Sequence, residues 1–376
     1  MLFLEKMNQT QKIIWDFQPD TLIQVLGSLE EEFNYRNKSV YTFNLLDNQL
    51  DEFTFKIIGL DHIKIIQYIN MVVNTQYRVK QGVFTVTDIF IKNNWREEYQ
   101  ICLAISCLDT EKLDEIIKFI FSVIKQLVND LNIKIVSGYY FLENKKVGLK
   151  DKEFHLFFGQ SKLVEQITLP DLNQKPVTHQ VQLSPHSFSR INYQNSVHIY
   201  QKMNDLVASL PQKYRLVLFG RDLYFPLHIL KNLETAESIY GVTHCPITFR
   251  DIQEDPDANL HLLCQLVNKK DYISYLQRYL DSFTGALDLP LDLDLPLDQK
   301  KFVMVLTAGR NGLGQAMCKF LNENRKRIHR IMYISCNVEN MRKDFSSLLP
   351  TYTVDDIWIS NEFSHTKYNN NITWLK

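Results

Sequence analysis

The sequence predicts an α/β fold in two parts: an α+β domain followed by a domain built on a parallel sheet with helices on its faces. Two observations carry this. From Tyr214 onward short apolar runs alternate with amphipathic helical stretches, and before it runs of period two surround one long helix. At 376 residues and 45% hydrophobic content the chain is long enough for two cores. The expected division is 1–195 and 196–376, the second part Rossmann-like in its strand and helix alternation.

In VYTFNLL (40–46) Tyr41, Phe43 and Leu45 share a face, and FTFKII (53–58), VFTVTDIFI and YQICLAIS continue the same period. After Asp109 and Thr110, both favoured helix caps, apolar residues fall at 113, 116, 117, 120, 124, 127, 128 and 131, the spacing of a helix facing a core. A helix on an antiparallel sheet follows from this. Residues 137–159 read as a β-hairpin with a basic connection, and SVHIYQKMNDLVASL as a helix leading into the second domain. There the order is RLVLFG, FPLHILKNL, SIYGVT, a helical stretch at 258–283, KFVMVLT, GLGQAMCKFLNE, RIMYISC and VENMRKDFSSL. The segment ALDLPLDLDLPLDQ (286–299) has two prolines and repeated Leu-Asp, which exclude a helix. It reads as a solvated loop, with a docking strip for a ribonucleoprotein partner as the other use.

Charge is balanced, 42 basic against 43 acidic residues, so RNA would have to be held by local runs: Lys145 and Lys146 in ENKKVGLKDK, Arg325, Lys326 and Arg327 in ENRKRIHR, and Arg36 with Lys38. The six cysteines form no Cys-x-x-Cys pair and no cluster with histidine, so neither a metal site nor an iron–sulfur cluster is expected. Free thiols fit a reducing compartment. No apolar run reaches the length of a membrane span and no leader is evident, so the expectation is an intracellular protein without a membrane partner, cytoplasmic or mitochondrial.

In a sheet of this kind ligands lie beyond the carboxyl ends of the strands, where Gly220, Thr243, Thr307 and Cys336 fall. A nucleotide site there needs glycines for close backbone approach and an acid to accept from ribose hydroxyls. The turn FGRDLYFP has one glycine, and the second strand ends in threonine. By composition alone Cys336 is a packing residue.

Four segments change that weighting: SFSRIN (187–192), TAGRNGL (307–313), YISCN (333–337) and EFSHTKYNNN (362–371). Their order resembles the motifs of the RNA uracil-5-methyltransferases of the TrmA and RumA kind, which read FFQ-x-N, DPPR-x-GL, Y-[VI]-SCN and F-P-[HY]-T-x-H-x-E. YRNKSVYTF, NNWREEYQI and FHLFFGQ are similar to stretches of the eukaryotic tRNA branch. The resemblance covers about residues 33–376. It implies S-adenosylmethionine as cofactor and tRNA or rRNA as partner. It also implies a mechanism: a cysteine thiolate adds to carbon 6 of a flipped-out uridine, carbon 5 takes the methyl group, and a glutamate removes the carbon 5 proton. Cys336 matches the nucleophile, and Arg310 with Gly312 matches DPPR-x-GL.

The departures concern one site. The glutamate position falls on Asn370, and an amide is not a base. Among the family's cofactor positions, Arg190 replaces the FFQ glutamine, Thr307 the residue opening DPPR, and Thr243 the ribose acid, while Gly220 stands alone in its turn. The expectation is a homologue without turnover that acts as an RNA-binding or ribonucleoprotein assembly protein. Two alternatives stand beside it: an active enzyme with a relocated base, for which Glu362 is the nearest acid, and a purely structural subunit. Arg221 and Asp222 could replace the lost turn but are better placed to pair with each other, and His365 with Thr366, which match the family's His-Thr, are expected either to form a hydrogen-bonded turn or to contact substrate.

Overall fold

A computed structural model of the chain describes residues 2–27, 38–43, 59–77, 84–107, 110–143, 153–171, 174–283, 302–363, 366 and 368–376. The segments 44–58, 144–152 and 284–301 lie outside these, and with them the 53–58 run, the basic hairpin connection and the Leu-Asp-rich stretch. Two compact units form: one from 1–31, 167–181 and 194–376, the other from 32–166 and 182–193. The division at 195/196 is therefore not how the chain partitions. Residues of the amino terminus join the carboxyl-terminal unit because β1 (Ile23–Leu26) pairs in parallel with β14 (Val354–Ser360).

The smaller unit is a five-stranded sheet of β2 (Lys38–Thr42), β3 (Phe84–Asn93), β4 (Glu98–Cys107), β5 (Lys134–Leu142) and β6 (His155–Gly159), in that order. Of the period-two runs, VFTVTDIFI, YQICLAIS and the described start of 40–46 are strands as anticipated, and β5 with β6 is the expected hairpin. One expectation fails: β4 and β5 are parallel. The helix between them, α3 (Leu113–Leu131), carries the chain back across the sheet, so the next strand must start from the same end. Its first turn also starts later than the caps suggested, because Thr110–Lys112 form a 3₁₀ turn and Lys112 takes the cap position. Asn132 closes α3 in the left-handed conformation (φ 52°). Ile116, Ile120, Val123, Ile124 and Leu127 of α3, with Ile65, Ile66 and Ile69 of α2 (Leu60–Ile69), pack on Ile89, Ile91, Ile101, Leu103 and Ile105 of the sheet.

The larger unit contains an eight-stranded sheet, ordered β1-β14-β15-β13-β12-β9-β10-β11. Here β9 is Tyr214–Gly220, β10 Ala236–Thr243, β11 Cys264–Leu266, β12 Phe302–Gly309, β13 Ile328–Ser335 and β15 Asn370–Leu375. All neighbours are parallel except β15, which runs against both β13 and β14. The strand and helix order read from the sequence holds, with the 258–283 stretch split into α7 (Ala258–Leu263) and α8 (Tyr272–Asp281) around β11. From β9 the chain goes outward to β10 and β11, then returns to β12 on the other side of β9. That reversal opens a crevice between the carboxyl ends of β9 and β12. The core on one face joins α1 (Leu2–Trp15), α8, α9 (Gln315–Glu323) and α10 (Val338–Leu348) to the strands through Ile13, Leu276, Met317, Phe345 and Tyr333.

Candidate functional site

The ladder between β13 and β15 sets the two candidate catalytic positions. The ladder ends at the Ser335–Asn371 pair, so Cys336, in the bend after β13, and Asn370, the first residue of β15, both directly adjoin that last pair. Asn370 also pairs with Ser360 at the end of β14, and thus sits between the ends of two strands. Both side chains are buried, Cys336 6% and Asn370 4% exposed. Cys336 lies in the bend before α10, whose cap Asn337 accepts hydrogen bonds from the Glu339 and Asn340 backbone N–H groups at 3.0 and 3.4 Å. The register therefore brings the nucleophile and base positions together across one strand pair. The residue at the base position is a buried amide.

Around Asn370 the end of the sheet is lined with amides and hydroxyls. Asn369 donates to Asn371 Oδ1 at 3.1 Å, and Asn371 Nδ2 reaches Ser335 O at 3.4 Å. Lys6 of α1, only 4% exposed, donates to Asn361 Oδ1 and Phe363 O, both at 3.1 Å. Glu362, 1% exposed, lies two residues past Ser360 on the same strand end. Thr366 forms the expected turn, its hydroxyl donating to Phe363 O at 2.9 Å, while His365 lies outside the described residues.

At the crevice, Gly220 pairs with Thr307. Gly220 has φ 141°, and a Cβ there would lie 2.0 Å from Thr307 Oγ1 and 2.5 Å from Thr307 O. The threonine hydroxyl donates toward Phe219 O (3.2 Å) and Asp222 O (3.4 Å), holding the turn after β9. At the end of β10 Thr243 is fully buried and its hydroxyl accepts from Cys245 N at 3.1 Å. Asp222 is engaged with the Tyr200 hydroxyl at 2.6 Å, so the expected Arg221 pairing gives way to a buried tyrosine as a partner of that carboxylate. The family's cofactor needs a bare backbone at the first turn and an acid at the second. Here Thr307 lies against the first turn at Gly220, and the second strand ends in a threonine whose hydroxyl is already used in a turn. Arg190, 8% exposed, belongs to the smaller unit.

Two residues near this edge were not legible in the sequence. Cys245 caps α6 (Pro246–Gln253). Burial pushes its thiol up, but hydrogen bonds from the Thr248 side chain and backbone, the Arg221 charge and the Ile247 N–H together bring it below the usual range. The signal was present as a cysteine before a proline at a helix start. Asp344 of α10 accepts from Tyr333 Oη (2.5 Å), Leu313 N (2.8 Å) and Gly314 N (3.1 Å), and so fixes the loop that carries Arg310 and Gly312. Asn340 holds the same loop through Arg310 O at 2.6 Å. Nothing local marks Asp344, which acts across 30 residues of chain.

The expected cations described in the larger unit stand at opposite edges of its sheet. Arg310 is exposed at the carboxyl edge, its guanidinium 4.7 Å from the Tyr368 ring centre. Arg325, Lys326 and Arg327 precede β13, at the amino edge of the same sheet, one eight-residue strand or about 25 Å away. Arg327 is bound to Asp281 at 2.8 Å. Lys38 starts β2 in the smaller unit and donates to Ser187 O at 3.2 Å. Arg36, Lys145 and Lys146 lie outside the described residues. No described helix is long and apolar enough to cross a membrane, and no cluster of metal-ligating side chains occurs among the described residues.

No family model matches the chain. Among curated proteins it is 33% identical over 73 residues to the 23S rRNA (uracil(747)-C(5))-methyltransferase RlmC of Serratia proteamaculans, 19% of each chain. It is 28% identical over 108 residues to the tRNA/tmRNA (uracil-C(5))-methyltransferase of Sulfurimonas denitrificans, 27% of this chain and 28% of that one. With RlmC of Citrobacter koseri identity is 24% over 198 residues, 51% of this chain and 45% of the relative. The chain thus spans less than half the length of these curated relatives, which are RNA uracil-C5-methyltransferases. The crystal structure of Pyrococcus abyssi tRNA (uracil-54, C5)-methyltransferase with S-adenosyl-L-homocysteine shares the fold: TM-score 0.64, 14% identity, covering 100% of this chain and 83% of that one. The larger unit accordingly has a Rossmann-like fold.

Proposed function

We propose that this protein is an RNA-binding homologue of the RNA uracil-C5-methyltransferases that does not turn over. One observation carries the reading: the register that brings Cys336 and Asn370 to the same end of β13 and β15 leaves an amide, not an acid, at the position the resemblance gives to the base. The placement of Thr307 against Gly220 supports it from the cofactor side. Cys336 and Asn370 are then inherited positions, and the cofactor positions Arg190, Gly220, Thr243 and Thr307 no longer form a site. RNA, of the tRNA or rRNA class the relatives modify, would be held through phosphate contacts by Arg36, Lys38, Lys145, Lys146, Arg310, Arg325 and Lys326, with Arg327 supporting the last group. The 286–299 segment is the place for a ribonucleoprotein partner.

Calorimetric titration with S-adenosylmethionine, and methyl transfer from labelled cofactor to uridine-containing RNA with Cys336→Ala as the blank, test this. The expected results are no binding in the micromolar range, about 8 kcal/mol, no transfer, and salt-dependent RNA binding. Turnover abolished in Cys336→Ala overturns the reading. The second reading, an active enzyme, has one favouring observation: Glu362 is buried on the strand end that pairs with Asn370. In that case Glu362→Gln abolishes transfer as well.

A further inference from the structure

At one end of the smaller unit's sheet lies the tight turn between β3 and β4, residues 94–97. Asn94, 2% exposed, organises it: its Oδ1 accepts from Arg96 N (2.9 Å) and Glu98 N (3.0 Å), and its Nδ2 donates to Glu98 Oε2 (2.9 Å) and Val164 O (2.8 Å). Glu97 closes the turn at φ 56°. Beneath it Glu165, 4% exposed, accepts from Gln166 N at 3.1 Å and from Trp95 N at 3.4 Å. On this rigid base Trp95 is 37% exposed and the Arg96 guanidinium lies 4.5 Å from the centre of its ring. These bonds fix the backbone that presents the indole before any partner arrives.

The strand register gathers positive charge at the same sheet end. Lys38 pairs with Lys92, two residues before Asn94, and Glu98 pairs with Lys134, whose ammonium is its ion-pair partner at 2.6 Å. Lys162 follows β6, whose last residue Gly159 pairs with Ser137 near the start of β5. Of these cations Lys92 is buried and donates to Ser184 O and Ser187 O, the Lys162 ammonium is buried and Lys134 is paired with Glu98, so the exposed Arg96 and the half-buried Lys38 are the ones placed to meet a phosphate at this end. Phosphate-binding cations beside a flat aromatic face are the arrangement that holds unpaired nucleotides, because each base can stack whatever its identity.

We infer that Trp95, backed by Arg96, is a stacking platform for an unpaired base of a bound RNA strand, with Arg96 and Lys38 of the same sheet end taking its phosphates. This rests on the proposed RNA-binding function and adds a contact that the basic runs do not supply. The platform serves binding, independent of Cys336 and of any cofactor.

The test uses the full chain and two fluorescein-labelled probes, an RNA hairpin with an unpaired loop and a fully paired RNA duplex of equal length, each titrated at several salt concentrations. Trp95→Ala should weaken hairpin binding about 5- to 100-fold, the cost of one lost base stack, with the salt slope unchanged. Trp95→Phe should recover most of the affinity. Arg96→Ala should lower the salt slope by about one phosphate contact. Duplex binding should be unaffected by Trp95→Ala, a result that a merely structural tryptophan would not give. Equal hairpin affinity in wild type and Trp95→Ala overturns the platform and leaves the RNA-binding reading standing, as does an equal loss on both probes. Failure of the wild type to bind either RNA overturns both. Thermal melts of each variant show whether the turn still folds; if Trp95→Ala does not, Trp95→Phe against Trp95→Leu decides the matter on the same readout, since leucine fills space without a stacking face.

Discussion

Asp344→Ala should destabilise the larger unit by about 3–5 kcal/mol. The carboxylate is 5% exposed and serves four donors: the fully buried Tyr333 hydroxyl, the N–H of the buried Leu313, the Gly314 N–H at the exposed end of the loop and, weakly at 3.7 Å, the Cys318 thiol. Alanine leaves the first two without an acceptor, each costing roughly 1–3 kcal/mol and more where the lost acceptor was charged, while water can serve Gly314. In a unit of this size that corresponds to a melting temperature lower by about 10 °C. Urea denaturation gives the value directly. Tyr333→Phe removes one buried donor together with its need, so the double variant should cost about 1–3 kcal/mol less than the sum of the singles. Asp344→Asn keeps one oxygen and should fall between wild type and alanine. A loss below about 0.5 kcal/mol for Asp344→Ala, or strict additivity with Tyr333→Phe, would refute the claim that this carboxylate anchors the Arg310 loop.

Gly220→Ala should cost more than about 3 kcal/mol or prevent folding, since its Cβ meets both the Thr307 hydroxyl and the Thr307 carbonyl, and a Thr307→Ala background should fail to rescue it because the carbonyl at 2.5 Å remains; a rescued melt would place the clash in the side chain alone. Asn370→Glu should confer no methyl transfer by itself, because Thr243 and Thr307 still occupy the cofactor positions; transfer in the radiolabel assay by that single variant would show the cofactor positions to be competent. His62 sets an acid limit. It is 1% exposed, and burial pulls it down to about 4, so on acidification from its ordinary 6.5 the unfolded chain takes up the proton first and stability falls across pH 6.5 to 4, by up to about 3 kcal/mol. Glu165 acts in the opposite direction: burial raises it to about 7, so stability falls as pH rises from 4.5 toward 7. Urea midpoints against pH should therefore lose their acid slope in His62→Gln and their slope on the neutral side in Glu165→Gln; unchanged slopes would show that neither group is held as its burial requires.

What the sequence determined by itself was periodicity and local chemistry. Alternation in VFTVTDIFI and YQICLAIS fixed two strands, the spacing from 113 to 131 fixed α3, and the strand and helix rhythm after Tyr214 fixed a parallel sheet, because each pattern reflects which neighbours a residue meets within its own element. The amide at 370 and the single glycine at 220 were also legible, since the poverty of an amide as a base does not depend on its surroundings. Only the tertiary structure decided which strands lie side by side. Parallel pairing of β4 and β5 follows from where α3 delivers the chain, and β1 joins the distant β14 through backbone bonds that carry no local signature. The same holds for the site: Cys336 and Asn370 come to one sheet end because β15 runs antiparallel beside β13, Thr307 lies against Gly220 because β12 lies beside β9, and Arg325 to Arg327 stand at the opposite edge because a strand of eight residues separates the two ends. These are consequences of register, and register is settled by the packing of whole elements, which no short stretch of sequence contains.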